Sequence, residues 1–419
     1  MALMCLLAVL LSDSFRQTPP AHTNQNAPDT RLLHLAHSRR FRIVPEYERH
    51  MERVVLSISG GDTVPEHHDE ILSSLPDYTQ IDLMVPDSNL SAVKTWIDDK
   101  SYRDRVHLIA YDPQYRSGAR LYLLLPDEEQ LVAVDTDDYR LGSQQGTLWA
   151  QDLFEVGTAT DNCTILLTAC AHKCFQSERH RRDSRVISDN AYLSCLDAAD
   201  TEVRRLPLAF KGGNVLVDEL NGKRIVFCGY DSVRSTRTAW RAFEGEEISD
   251  GKVAEMAKHA FNADEVVIVG GPRPQPEVMY HLDQAMMPLS SGTIAVARVI
   301  GECPRLEPDA SRIKLVKAFL AELRPILVDL GYAVVDMDAT VENVLNYQHY
   351  VNAIPYVDKD SGQKTVLMPV FAETLDKRDQ QITRKNTETL ESLGYTVVCV
   401  PTRACELTGG IHCLVNVLQ

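Results

Sequence analysis

The chain has no CxxC pair, no excess of basic residues, no GxGxxG opening a helix after a strand, and no apolar run long enough to span a bilayer. Each absence removes a class. Its ten cysteines, at positions 5, 163, 170, 174, 195, 228, 303, 399, 405 and 413, are scattered along 419 residues, which reads as mostly free thiols in a reducing compartment. Cys170, His172 and Cys174 lie close together, but no second ligand pair at finger spacing accompanies them, which argues against a zinc site. Lys+Arg number 43 against Asp+Glu 59, a net charge of -16, so nucleic acid and anionic membranes are poor partners. The basic stretch from His172 to Arg185 reads as a solvated loop. A plain dinucleotide-binding sheet is disfavoured because its glycine fingerprint is missing.

The apolar start MALMCLLAVLL is too short to cross a bilayer as a helix. It has neither a basic n-region nor a small-x-small cleavage site before SDSFRQTPP. Signal, amphipathic anchor and over-long start all stay open, with a slight preference for the cytoplasm and secretion as the alternative. Residues 13–50 are polar and contain Pro19, Pro20, Asn24 and Asn26, so residues 1–50 read as a poorly ordered extension. From Met51 to Gln419 the expectation is a single domain.

Within that span, runs of branched and aromatic residues bounded by Gly, Pro, Asn or Asp recur: RVVLSIS from Arg53, IDLMV from Ile81, RVHLIAY from Arg105, LVAVDT from Leu131 and TILLTA from Thr164. NVLVD from Asn214, RIVFCGY from Arg224, EVVIVGG from Glu265, TIAVARVIG from Thr293, AVVDMD from Ala333, KTVLMPVF from Lys364 and YTVVCVP from Tyr395 continue the series. These are strand signals. Gly251 to Ala263, Ser311 to Leu330 and Asp379 to Leu393 have apolar residues at helical spacing. Asn221-Gly222 marks a hairpin, and strands separated by helices must pair in part in parallel. The pattern is an α/β domain of ββα-type units.

Four short segments carry chemistry. Trp149, Gln151, Asp152 and Glu155 belong to LWAQDLFEVG; Lys211, Gly212, Gly213 and Asn214 open a strand; His281 and Asp283 are two apart, on one face if the segment is extended; Gly409, Gly410, Ile411, His412 and Cys413 stand near the end of the sequence. In this order they resemble the guanidino-group modifying superfamily of penteins, most closely the catalytic domain of protein-arginine deiminases. There a WxQD-type segment, a Gly-Asn turn, His-x-Asp and a terminal HCxxNV follow one another. Agmatine deiminases are similar too, with His-x-Asp and GGIHC.

The resemblance implies a pentein-type α/β propeller of ββαβ-like units with five-fold pseudosymmetry. It implies hydrolysis of a guanidinium, first of all peptidyl arginine to peptidyl citrulline and ammonia in an arginine-containing protein or peptide. A small-guanidine deiminase or amidinotransferase is the alternative, and a guanidinium-binding pseudoenzyme a further one. Cys413 is the implied nucleophile, His281 the acid and base, Asp152 and Asp283 the guanidinium grips, and Trp149, Asn352, Gly213 and Asn214 the substrate-binding residues. Carboxylates suit a planar cation through charge-assisted bidentate hydrogen bonds. The chemistry requires no cofactor.

Gln151 and Glu155 match positions used by calcium-dependent members, but Leu153 replaces a third, which argues against calcium activation. Lys211 stands where small-molecule deiminases carry a glutamate, and Leu407 where peptidyl deiminases carry an arginine that holds the substrate backbone. His412 is assigned packing or orientation, since neighbours on a strand face opposite ways.

Overall fold

The computed structural model describes residues 41–58, 66–111, 121–124, 131–134, 149–169, 201–244, 247–271, 275–371 and 377–418. Cys5, Cys170, His172, Cys174, Cys195, the stretch to Arg185 and the apolar start lie outside them. The strands pair into five sheets. In one, Val215–Leu220 and Lys223–Gly229 form an antiparallel hairpin, and Glu265–Val269 joins the second strand in parallel. Asn221 and Gly222 make the hairpin turn at φ 53° and 74°, the left-handed pair whose twist matches the strands. The parallel strand needs a crossover, supplied by the helices Tyr230–Glu244 and Asp250–Ala260.

The same order recurs. Met286–Ser290, Thr293–Ile300 and Ala333–Thr340 use it around the helix Asp309–Leu330, and Ile354–Val357, Lys364–Val370 and Thr396–Pro401 around Lys377–Ser392. A fourth sheet assembles it from distant segments: Asn416–Val417 lies antiparallel to Arg53–Ser57, which is parallel to Gln80–Pro86. The fifth sheet has six strands, with Glu155–Ala159 antiparallel to Thr164–Thr168 and Thr201–Arg205 parallel to it.

Helix spacing explains the packing. Asp309–Leu330 buries Ile313, Val316, Leu320, Leu323 and Leu327 in one cluster with Ile294, Val296 and Met337 of its own sheet. Each such side chain contributes about 1.5–3 kcal/mol relative to exposure. No helix among the described residues is long and apolar enough to cross a membrane.

The described fold reaches further toward the N-terminus than the expected boundary at Met51. Phe41–Ile43 pairs with Gly157 to Ala159; Tyr47 Oη donates to Asp218 Oδ1 at 2.6 Å. Arg49, buried, donates to Val417 O at 2.7 Å and to Val44 O at 2.9 Å. The segment looked like an extension because its strand is only three residues long and its partners, the core around Phe41 and Ile43 and the polar contacts of Tyr47 and Arg49, lie far along the chain.

Candidate active site

Four connections converge, each fixed by its backbone. Ala150–Asp152 is a single 3-10 turn in which Asp152 N donates to Trp149 O at 3.1 Å. Asn416 Nδ2 ties it to the C-terminal strand by donating to Ala150 O at 3.2 Å and Phe154 O at 2.9 Å. Gly212–Asn214 is a second turn, at the head of Val215–Leu220. Leu282–Gln284 is a third, entered from an extended His281 at φ -119° and ψ 155°. Asn214 clamps these two together: its Oδ1 accepts from Leu282 N at 3.2 Å and Gln275 Nε2 at 3.1 Å, and its Nδ2 donates to Gln275 Oε1 at 3.1 Å and Ser232 Oγ at 3.3 Å.

The turns touch at Gly213, where a Cβ would lie 2.7 Å from Asp283 Oδ2 and 3.0 Å from His281 Nδ1. Only glycine lets both side chains close over the turn. His281 Nδ1 is also 4.0 Å from Asp152 Oδ1. Asp152, His281 and Asp283 are all buried around this point.

The fourth connection is Ile411–Leu414, a single helical turn entered from an extended Gly410. The expectation of a strand at His412 is therefore corrected. Neighbouring side chains on a helix are about 100° apart, not opposed, so His412 and Cys413 reach the same carboxylate. His412 Nδ1 is 2.9 Å and Cys413 Sγ 3.3 Å from Asp283 Oδ2. Asn352 holds the turn from beneath: its Oδ1 accepts from His412 N at 3.1 Å and Cys413 N at 3.4 Å, and its Nδ2 lies 3.3 Å from Sγ. A Cβ on Gly410 would come within 2.3 Å of that Oδ1, so the contact depends on glycine.

His412 is the electrostatic centre. Its Nε2 lies 2.8 Å from Glu46 Oε2, so one ring bridges two carboxylates. Burial works against the charged ring, but Glu46 and Asp283 outweigh it and push it up to about 10. Burial likewise opposes charge on both acids, and the imidazolium outweighs it, holding Asp283 and Glu46 below the usual carboxylate range. Burial, followed by the charge of Asp283, pushes the Cys413 thiol well up. Both effects favour the thiol over the thiolate at Cys413. Asp283 Oδ1 is buried and has no hydrogen-bond partner among the described residues.

Of the sequence-predicted residues, Asp152, His281, Asp283, Cys413 and Gly213 come together. Trp149 packs against Gly409, where a Cβ would meet its ring at 2.4 Å. Asn352 and Asn214, the residues expected to bind substrate, make hydrogen bonds within the protein: Asn352 holds the turn bearing Cys413, and Asn214 holds the turn entered from His281. Gln151 and Glu155, the calcium candidates, are buried, each with an unpartnered Oε1. Burial pushes Glu155 well up, which favours a neutral acid, a poor ligand for a hard dication. No group of three or more His, Cys, Asp or Glu among the described residues could hold a metal ion.

Sequence reading missed Glu46, Arg49, Gln275 and Asn416. Only Asn416 had a signal, its fixed place three residues beyond Cys413. Lys211 faces the site, its Nζ 3.7 Å from Asp152 Oδ2.

No protein-family model and no curated protein sequence matches the chain. Among solved structures, the agmatine deiminase of C. jejuni with substrate bound aligns over 91% of this chain and 97% of its own, at 13% identity and a TM-score of 0.56. An agmatine deiminase of Enterococcus faecalis aligns over 90% of this chain and 95% of its own, at 13% identity and a TM-score of 0.57. At such identity the likeness is one of fold: the chain has the pentein-type α/β fold.

Proposed function

We propose that the chain hydrolyses the guanidinium of a small guanidine, giving a ureido product and ammonia through a covalent thiouronium on Cys413. The observation that carries this reading is the convergence of Asp152, His281 and Asp283 around Gly213, with the Cys413 thiol 3.3 Å from Asp283. Two carboxylates around a buried thiol disfavour the thiolate, and an entering cation reverses that. A unit charge about 4 Å from sulfur contributes about 4 kcal/mol at an effective dielectric of 20, equivalent to about three pKa units. The substrate thus helps to make its own nucleophile. Asp283 Oδ2 is engaged by His412 and Cys413, which leaves Oδ1 to accept a guanidinium N–H.

The Cys413 thiol passes its proton to His281, the thiolate attacks the central carbon, and the C–N bond to one terminal nitrogen breaks as His281 gives that proton to the departing nitrogen. Ammonia leaves, and the carbon stays on sulfur as a thiouronium. His281, now neutral, takes a proton from water as its oxygen bonds to the carbon. The C–S bond then breaks, and the ureido product departs. No metal or organic cofactor enters these steps.

The fold likeness to agmatine deiminases supports a small guanidine over the peptidyl arginine first expected. Leu407, at the place of a backbone-clamping arginine, supports the same shift. Wild type and Cys413→Ala are to be incubated with agmatine, free arginine and arginine peptides, with and without an amine acceptor, and products read by mass spectrometry. Wild type should release ammonia and a ureido product, and Cys413→Ala neither. Activity in Cys413→Ala, or none in wild type, overturns the reading; a transferred amidino group would make it an amidinotransferase.

A further inference from the structure

We infer that Lys211 selects a substrate with an anionic group close to its guanidinium, an ω-guanidino acid, over one with a cationic tail such as agmatine; this rests on the guanidine-hydrolase reading above. The Lys211 side chain is 44% exposed, whereas Asp152, with its Oδ2 3.7 Å from Nζ, is 4% exposed. The ammonium is therefore partly open to solvent while it pairs with a buried carboxylate. The Tyr280 ring centroid lies 5.8 Å from Nζ.

Neither wall is loose. Tyr280 Oη donates to Thr408 O at 2.9 Å, and its ring meets His281 edge-on at 4.4 Å between centroids. The Lys211 carbonyl accepts from Asn214 N at 2.9 Å, which anchors the lysine backbone to the turn bearing Gly213.

This arrangement has a consequence for charge. A guanidinium gripped by Asp152 takes the lysine's counter-ion and sets two cations within a few ångströms of each other. A substrate that brings its own carboxylate restores the pairing: Asp152 goes to the guanidinium and the ammonium to the carboxylate. A cationic tail adds a third positive charge instead. A partly exposed pair is worth about a fivefold change in affinity. The gain for an anionic tail and the loss for a cationic one separate the two substrates by on the order of tenfold or more.

The test compares 3-guanidinopropionate, butylguanidine and agmatine as substrates of wild type, Lys211→Met and Lys211→Arg. Wild type and Lys211→Arg should prefer the acid to agmatine by about tenfold or more in kcat/KM, mostly through KM, with butylguanidine between them. Lys211→Met should erase the order. A wild-type preference for agmatine overturns the inference, as does a Lys211→Met change that is equal for all three, which would make the lysine only a competitor for Asp152. If wild type turns over none of them, the hydrolase reading has failed, and calorimetric affinities for the same compounds decide the charge preference by the same order.

Discussion

Replacing His412 with alanine removes the ring that bridges a buried carboxylate, Asp283 at 2.9 Å, and a partly buried one, Glu46 at 2.8 Å. Breaking a buried ion pair by deleting one partner costs about 3–5 kcal/mol, because the remaining charge stays buried and unpaired. The ring itself gives a second measure. Its rise from 6.5 to about 10 corresponds to about 5 kcal/mol at about 1.4 kcal/mol per pKa unit. The two routes agree, and we expect His412→Ala to lose about 3–5 kcal/mol at neutral pH.

The sign of the pH dependence follows from the directions. A ring whose pKa is raised on folding stabilises fully below 6.5, and that stabilisation is lost as pH rises through about 10. Asp283 and Glu46, held low, stabilise above their ordinary values and lose that contribution as pH falls through their lowered ones. Urea unfolding of wild type and His412→Ala across this range should therefore show the widest gap near neutrality, closing at both ends. A gap under about 1 kcal/mol at neutral pH, below even a single lost buried charge partner, or one that does not narrow in alkali, would refute the bridge.

Two further perturbations probe the same site. Asn352→Ala removes the side-chain acceptor shared by the His412 and Cys413 amides and leaves His412 N only the longer bond to the residue 352 carbonyl at 3.5 Å, so we expect about 1–3 kcal/mol less stability and on the order of tenfold or more lower kcat with KM little changed; steady-state kinetics beside urea unfolding will show whether both fall. Glu155→Gln replaces an acid that burial pushes well up, a group whose favourable protonation in the fold is lost as pH rises through its raised pKa. The variant should melt higher than wild type at mildly alkaline pH and equally in acid, and equal melting at both would show that burial does not govern this carboxylate.

Much of the fold was legible where one residue type decides. The long branched runs became strands, Asn221-Gly222 became a two-residue turn, and the helical stretches became crossovers. Among the strands that escaped were the first strands of two units, Met286–Ser290 and Ile354–Val357. Each is short and holds a proline, so its propensity is weak and its pairing comes from the neighbouring strand.

The site divides in the same way. Asp152, His281, Asp283 and Cys413 lie in short contexts with compatible chemistry, and Gly213 makes their meeting possible. Glu46 gave no signal, because an acid in a polar segment becomes informative only once a distant ring is placed against it. His412 was visible but misread, since local pattern alone does not separate a terminal strand from one helical turn. Asn352 and Asn214 were visible as polar residues; that they tie turns of the protein together emerged only from the hydrogen bonds.

The most direct test of the central claim is to quench wild-type protein with acid during turnover of a guanidine and map its cysteines by peptide mass spectrometry. The account predicts an adduct of substrate less ammonia on Cys413 in wild type, lost in His281→Asn, which lacks the acid that releases ammonia. Turnover with Cys413 unmodified throughout, or with the adduct on another cysteine, would contradict it.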